Sequence, residues 1–279
     1  MPRLQPRRSR LASPLVLALA PGFLAAQDPS LPDAAVADNS FFIEEGYNQE
    51  PGVVQHISTF TAAGRSNRDL SYTLTQEWPF RGQRHQLSYT VPVVRPSGGG
   101  GGLGDVLLNY RLQVGAGSRR WALAPRLSLV LPTGSVTQGR GDGSLGVQAN
   151  LPFSYQLSRA VVTHWNAGLT HLPGAQGLVQ TGGRVRRTLT DYHLGGSIVA
   201  PAHLPLQLLL ESVVTFESEI TGTGRVDRSA VWIASPGVRG AVNLGGVQIV
   251  PGFALPVAWT RGEADSDLFF YLSLEHRFQ

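Results

Sequence analysis

From about residue 51 to its carboxyl end, this chain alternates apolar and polar residues one by one in short segments, and that period of two dictates strands. Asp105 to Val114 is the clearest case. Val106, Leu108, Tyr110, Leu112 and Val114 fall on one face, and Asp105, Leu107, Asn109, Arg111 and Gln113 on the other. Further on, Leu145, Val147, Ala149, Leu151, Phe153 and Tyr155 alternate with Gly146, Gln148, Asn150, Pro152, Ser154 and Gln156. The last segment sets Phe270, Leu272, Leu274, His276 and Phe278 against Tyr271, Ser273, Glu275 and Arg277. A helix would scatter these sets around its circumference, whereas a strand sorts them. The pattern predicts strands over 52–61, 69–80, 84–94, 104–115, 120–132, 144–157, 160–172, 186–199, 204–217, 228–239, 246–259 and 267–278. Most are close to the roughly 9–11 residues that a tilted membrane strand needs.

The links between these segments alternate in predicted length. Short turns fall at 81–83, 115–119, 158–159, 201–203 and 240–245, and longer links at 62–68, 95–103, 133–143, 173–185, 218–227 and 260–266. Outer-membrane barrels place short turns in the periplasm and long loops outside. The fold expected is therefore all-β: a transmembrane, antiparallel, up-and-down barrel of about twelve strands over 51–279. An even strand number puts both termini in the periplasm. Trp78, Phe80, Trp121, Phe153, Tyr155 and Phe278 fall near the short-turn ends, and Trp259 and Phe270 near the long-loop ends, as interfacial girdles would. A soluble barrel would have to bury the ionised face in a dry core, which is prohibitively costly.

The first residues read differently. Arg3, Arg7, Arg8 and Arg10 precede an apolar stretch from Leu11 to Leu24 and the small pair Ala25-Ala26, the three parts of a secretory leader. Residues 1–26 are expected to be a signal peptide cleaved near Ala26, and 27–50 a periplasmic segment before the barrel. Phe41-Phe42-Ile43-Glu44-Glu45 within it reads as a short turn or helix. The net charge of +4 comes from the leader: removing its four arginines leaves zero, and the rest are too dispersed to bind nucleic acid. With no cysteine, disulfides, thiolate catalysis and cysteine-based zinc sites are excluded.

Strand parity assigns the chemistry. Glu77, Asp105, Arg111, Arg126, Asp191, His193, Glu211, Glu217, Arg239, Glu275 and Arg277 point to the lumen, because an arginine facing lipid at the midplane costs about 2–4 kcal/mol. These charges fit a constriction that selects solutes, or ion pairs that brace a narrow barrel. Leu107, Leu209 and Ile233 also face inward and suit a less polar solute. The G-x-G-x-x-G over 98–104 leads into a strand rather than a helix, which makes it a loop rather than a dinucleotide site. Arg140-Gly141-Asp142 lies in a Gly-rich link and is read as chance rather than an adhesion motif. No histidine spacing suggests a metal site, and no G-x-S-x-G elbow is present. His164 and His193, with Asp191 or Ser197 in reach, are the one opening for a hydrolase.

Three stretches carry a resemblance. They are Phe42-Ile43-Glu44-Glu45-Gly46-Tyr47-Asn48-Gln49-Glu50-Pro51-Gly52-Val53-Val54-Gln55-His56, Gly102-Leu103-Gly104-Asp105-Val106-Leu107-Leu108-Asn109-Tyr110-Arg111, and Leu123-Ala124-Pro125-Arg126-Leu127-Ser128-Leu129-Val130-Leu131-Pro132-Thr133-Gly134. In these the chain resembles the bacterial transporter-like outer-membrane proteins related to the meta-pathway phenol-degradation family. The resemblance implies a porin-like channel of a Gram-negative outer membrane that admits small solutes, aromatic or hydrophobic ones included, by passive diffusion. It implies no catalytic residue, no cofactor and no metal. The expected partners are outer-membrane lipid, the barrel assembly machinery and the solute itself. The alternatives are a lipid-modifying hydrolase in the barrel wall and a plugged barrel with a structural or surface-binding role.

Overall fold

The structure, a computed structural model, describes residues 39–64, 69–114 and 120–278. The expected leader, its cleavage point and the turn at 115–119 lie outside the described residues. The rest forms one antiparallel sheet closed on itself as a barrel of twelve strands. They are Val53–Ala63, Asp69–Pro79, His85–Arg95, 102–112, 121–131, 146–156, Val162–Leu178, Arg184–Ala200, Leu206–Ile220, 226–244, 247–260 and 263–277. The first strand closes the barrel on the twelfth, in register from Val53↔Arg277 to Ala62↔Leu268. Closure leaves no unpaired edge, which is the condition for a sheet in hydrocarbon. No helix among the described residues is long and apolar enough to cross a membrane.

The two faces obey the parity read from the sequence. The outward row of the ninth strand is Leu206, Leu208 and Leu210, with Leu208 62% exposed. The inward row is Gln207, Leu209 and Glu211, with Glu211 1% exposed. Outward aromatics collect toward the rims. Phe80 and Phe278 are exposed at the short-turn end, and Trp232 stacks on Trp259 at 4.5 Å between ring centroids. Grease outside and ionisable groups inside is the arrangement that lipid enforces.

The alternation of link lengths is corrected. The long links expected at 173–185, 218–227 and 260–266 are mostly strand: the seventh and eighth strands run on as a hairpin to Leu178 and Arg184, and the ninth and tenth to Ile220 and Val226. The glycines of the seventh strand do not break its ladder, because the stretch from Leu172 to Ala175 absorbs the irregularity as a register shift. Residues 132–145 are a long loop, and they carry the short helix Val136–Gln138. This loop turns inward: the Gly134 and Asp142 amides donate to the Asp105 carboxylate at 2.8 Å each. Arg140 donates to the carbonyls of Gly100 and Gly101, which ties the arginine of the R-G-D tripeptide to the Gly-rich link instead of solvent.

Two prolines shape the wall. Pro125 and Pro152 interrupt the fifth and sixth strands at one level, since neither can donate to the ladder. The register nevertheless carries through, from Leu123↔Phe153 to Arg126↔Asn150.

Placing a charge on the outer row tests the assignment of faces. Leu210→Arg is expected to destabilise the barrel in lipid vesicles by about 2–4 kcal/mol in urea unfolding. An unchanged stability would place this row out of the bilayer.

Candidate functional site

The ladder stacks the inward polar residues into rows. One row runs Arg111, Arg126, Asn150, Gly168, His193 and Thr215, each paired in register with the next. Another runs Ala122, Ser154, His164, Ser197, Glu211 and Ser235. Gly168 has to be glycine: a Cβ there would lie 2.4 Å from the His193 ring, which crosses it so that His193 Nε2 meets Asn150 Oδ1 at 3.1 Å.

Across these rows lies residues 39–50, inside the barrel. This segment joins no ladder, so its amides need other acceptors, and the wall supplies them. Phe42 and Ile43 N–H donate to Glu211 Oε1 (2.8 and 3.2 Å), and Glu44 N–H donates to Asn166 Oδ1 (2.9 Å). Gly46 donates to Ser154 Oγ (2.7 Å), Asn48 to Gln113 Oε1 (2.8 Å) and Gln49 to Gln86 Oε1 (2.8 Å). Asn166 also donates to the Glu44 carbonyl, and Arg239 to that of Asn39. The limbs of this arch touch groups near the short turns, while Glu44 reaches the row of Arg126 and Asn150.

Apolar packing seats the same arch. Phe41 lies 5.4 Å from both Phe269 and Tyr271, and Phe42 lies 5.0 Å from Phe269, ring centroid to ring centroid. Gly252 makes the room. A Cβ on it would sit 2.5 Å from the Phe41 ring, with no backbone strain to blame.

The Glu44 carboxylate is the electrostatic centre. Arg126 grips it through Nε (3.1 and 3.0 Å) and Nη2 (2.6 Å), and Asn150 Nδ2 donates to it at 2.9 Å. Burial alone would raise its pKa, but Arg126, Arg111 and the two donors outweigh it and hold the carboxyl at about 2. Arg111 stands directly across the ladder from Arg126. It is 3% exposed, and its Nε and Nη2 have no acceptor among the described residues. Unmet buried donors cost about 1–3 kcal/mol each, more when charged.

The other charges read as lumen-facing have separate partners. Glu77 accepts from Gln86 (2.6 Å), Asp191 from the Ser218 amide (2.7 Å), Glu217 from Thr215 (3.0 Å), and Arg239 donates to Gln207 (2.8 Å). Glu275 pairs in register with Gln55, and Arg277 is exposed at the short-turn rim beside Val53. Asp105 anchors the inward loop. The carboxylate that Arg126 holds thus comes from the segment, not from the opposite wall.

The pairing expected of the histidines is also corrected. His164 Nδ1 meets Ser154 Oγ at 2.7 Å, and His193 meets Asn150, not Asp191 or Ser197. Ser154 is 0% exposed and its oxygen already holds the Gly46 amide, which leaves an ester no approach. Missed altogether by sequence reasoning were Glu44, Ser154, Asn166 and the glutamines. The available signal was two inward arginines, Arg111 and Arg126, on neighbouring predicted strands, together with an acidic, aromatic run just before the barrel.

At the long-loop end the lumen opens into a vestibule of about 710 Å³. Asp69, Arg95, Asp105, Arg140, Asp142 and Glu219 line it with apolar Leu189 and Ile220. Burial, with the facing carboxylates of Asp105 and Asp191, pushes the Asp142 carboxyl up.

No family model and no curated protein matches the sequence. Among solved structures, the chain is similar to the COG4313 outer membrane channel from Pseudomonas putida F1, with a TM-score of 0.59 at 14% identity over 84% of this chain and 98% of that one. It is also similar to the NanC porin, with a TM-score of 0.52 at 5% identity over 81% of this chain and 100% of that one. At such identities the likeness is one of fold. It is the fold of bacterial outer-membrane barrels.

Gly252→Leu should expel Phe41, seen as loss of amide-exchange protection over 41–49 in a barrel that still folds; retained protection would mean the ring is not seated there. Acid should act through Glu44. Its docked carboxyl sits at about 2 against an ordinary 4.5, so the clamp contributes fully above pH 4.5 and is lost as pH falls toward 2. Protection next to Glu44, corrected for intrinsic rates, should fall as pH drops from 4.5 toward 2. A loss already complete at neutral pH would contradict the clamp.

Proposed function

We propose that this protein is an outer-membrane channel for small solutes, driven by the solute gradient, with residues 39–50 as the resting occupant of its lumen. The observation that carries this reading is a barrel greasy outside and ionised inside, opening at one end into a solute-sized vestibule. Both ends of the barrel chain, Val53 and Arg277, lie on the short-turn side, which in this reading faces the periplasm. A leader cleaved near Ala26 would deliver the chain there, for the assembly machinery to insert into lipid.

The finer assignment, to the transporter-like proteins related to the meta-pathway phenol-degradation family, rests on the sequence resemblance. The apolar groups inside the long-loop half support it: Val130, Leu172, Ala175 and Leu189 cluster there with Ile220. Such a lining suits a solute with an aromatic or aliphatic body and a polar end. A second reading, an occluded barrel that binds ligands without passing them, is favoured by the dense bonding of the arch.

Planar bilayers decide between them. The full chain should give small, discrete conductance steps, and a chain lacking 39–50 should conduct several-fold more. Arg126→Ala and Glu211→Ala, each removing an anchor, should move in the same direction and change ion preference. Silence from the shortened chain as well would favour the occluded barrel.

A further inference from the structure

The arch does more than fill space, because the Glu44 carboxylate answers two adjacent guanidinium groups. Arg111 and Arg126 are opposite each other in the ladder, an arrangement that repels unless an anion lies between them. Arg126 and Asn150 are satisfied by Glu44, while two donors of Arg111 are left over in a setting 97% shielded from solvent by its 3% exposure. One arginine suffices to hold the Glu44 carboxylate, since its guanidinium contacts all come from Arg126. Two, with a donor amide beside them, make a seat for an anion larger or more open than a tethered glutamate.

We propose that Arg111, Arg126 and Asn150 form an anion site whose resting occupant is the Glu44 carboxylate and whose incoming ligand is a small organic carboxylate. The proposal rests on the channel reading and gives it a substrate class and a trigger. The Glu44 side chain is 27% exposed and that of Arg126 is 13% exposed, so the clamp is within reach of solvent. A carboxylate that takes the Arg126 fork leaves Glu44 without its counter-ion, and the arch loses the anchor at its apex. The planar fork of arginine suits a carboxylate in two-point contact. The apolar groups of the long-loop half suit the remainder of such a molecule. Binding and unlatching are then the same event, since ligand and latch compete for one site.

The test uses benzoate as probe and benzamide as its neutral counterpart, titrated calorimetrically at fixed ionic strength into the folded full chain in detergent. Glu44→Gln keeps the shape of the arch and vacates the charge, so benzoate should bind it at least tenfold more tightly than the unaltered chain, about 1.4 kcal/mol. Adding Arg111→Gln to Glu44→Gln should abolish most of that gain, and benzamide should not distinguish the three. Equal benzoate affinity with and without Glu44, a gain that survives Arg111→Gln, or benzamide matching benzoate would each overturn the site. Amide exchange in the unaltered chain gives an independent reading: benzoate and not benzamide should lower protection over 42–49, and equal protection overturns the latch. Binding needs no conductance. Bilayers that stay silent after removal of 39–50 would therefore defeat the channel reading while leaving the calorimetric result to stand or fall alone.

Discussion

Every backbone amide that enters a barrel lumen must find an acceptor, and this requirement organises the interior. A segment that pairs with no strand cannot satisfy itself as a ladder does. Here the wall provides acceptors at the heights where the arch needs them: Glu211 for Phe42 and Ile43, Asn166 for Glu44, Ser154 for Gly46, Gln113 for Asn48 and Gln86 for Gln49. These side chains are not interchangeable with water. Most are nearly fully buried, and removing an acceptor strands a donor in the lumen. The polar interior of this barrel is thus shaped around a peptide as much as around a pore.

The register of the sheet turns that list into a site. Neighbouring strands set Arg111 beside Arg126, Arg126 beside Asn150, and Asn150 within reach of His193 across Gly168. A shift of one residue anywhere in this chain of pairings would send an arginine to lipid, so the cost of misregister is set by the bilayer. The interruptions at Pro125 and Pro152 fall next to this row without disturbing it. The same outward rows that hold the barrel in the membrane therefore fix the distances between charges inside it.

The period of two revealed the strands and their faces because lipid and lumen impose opposite demands on alternate residues. Arg111 and Arg126 could be sent inward on that ground alone. Their partner could not be found that way. Phe41-Phe42-Ile43-Glu44-Glu45 belongs to no sheet, and its side chains meet the wall without regular alternation, Phe41 and Phe42 both against Phe269, so no period marks it. Pairings such as Ser154 with His164 depend on register between strands, which a single strand's pattern leaves open. Link lengths were misjudged at 173–185 because glycine reads as a breaker. The hairpin of the seventh and eighth strands keeps its ladder at the cost of one bulge between Leu172 and Ala175.

The charges also differ along the axis. At the long-loop end the vestibule carries Asp69, Asp105, Asp142 and Glu219 against Arg95 and Arg140, and the arginine of the inward loop is tied to backbone carbonyls. Deeper in, acids and arginines interleave: Glu77 and Glu211 are buried in the wall and Glu45 in the arch, and Arg111 and Arg126 stand as a pair in one row. An anion that passes the acidic mouth meets concentrated opposite charge at that pair. Any preference for anions therefore rests on two arginines of neighbouring strands, and Glu44, on an arch outside the ladder, is the carboxylate that Arg126 already holds.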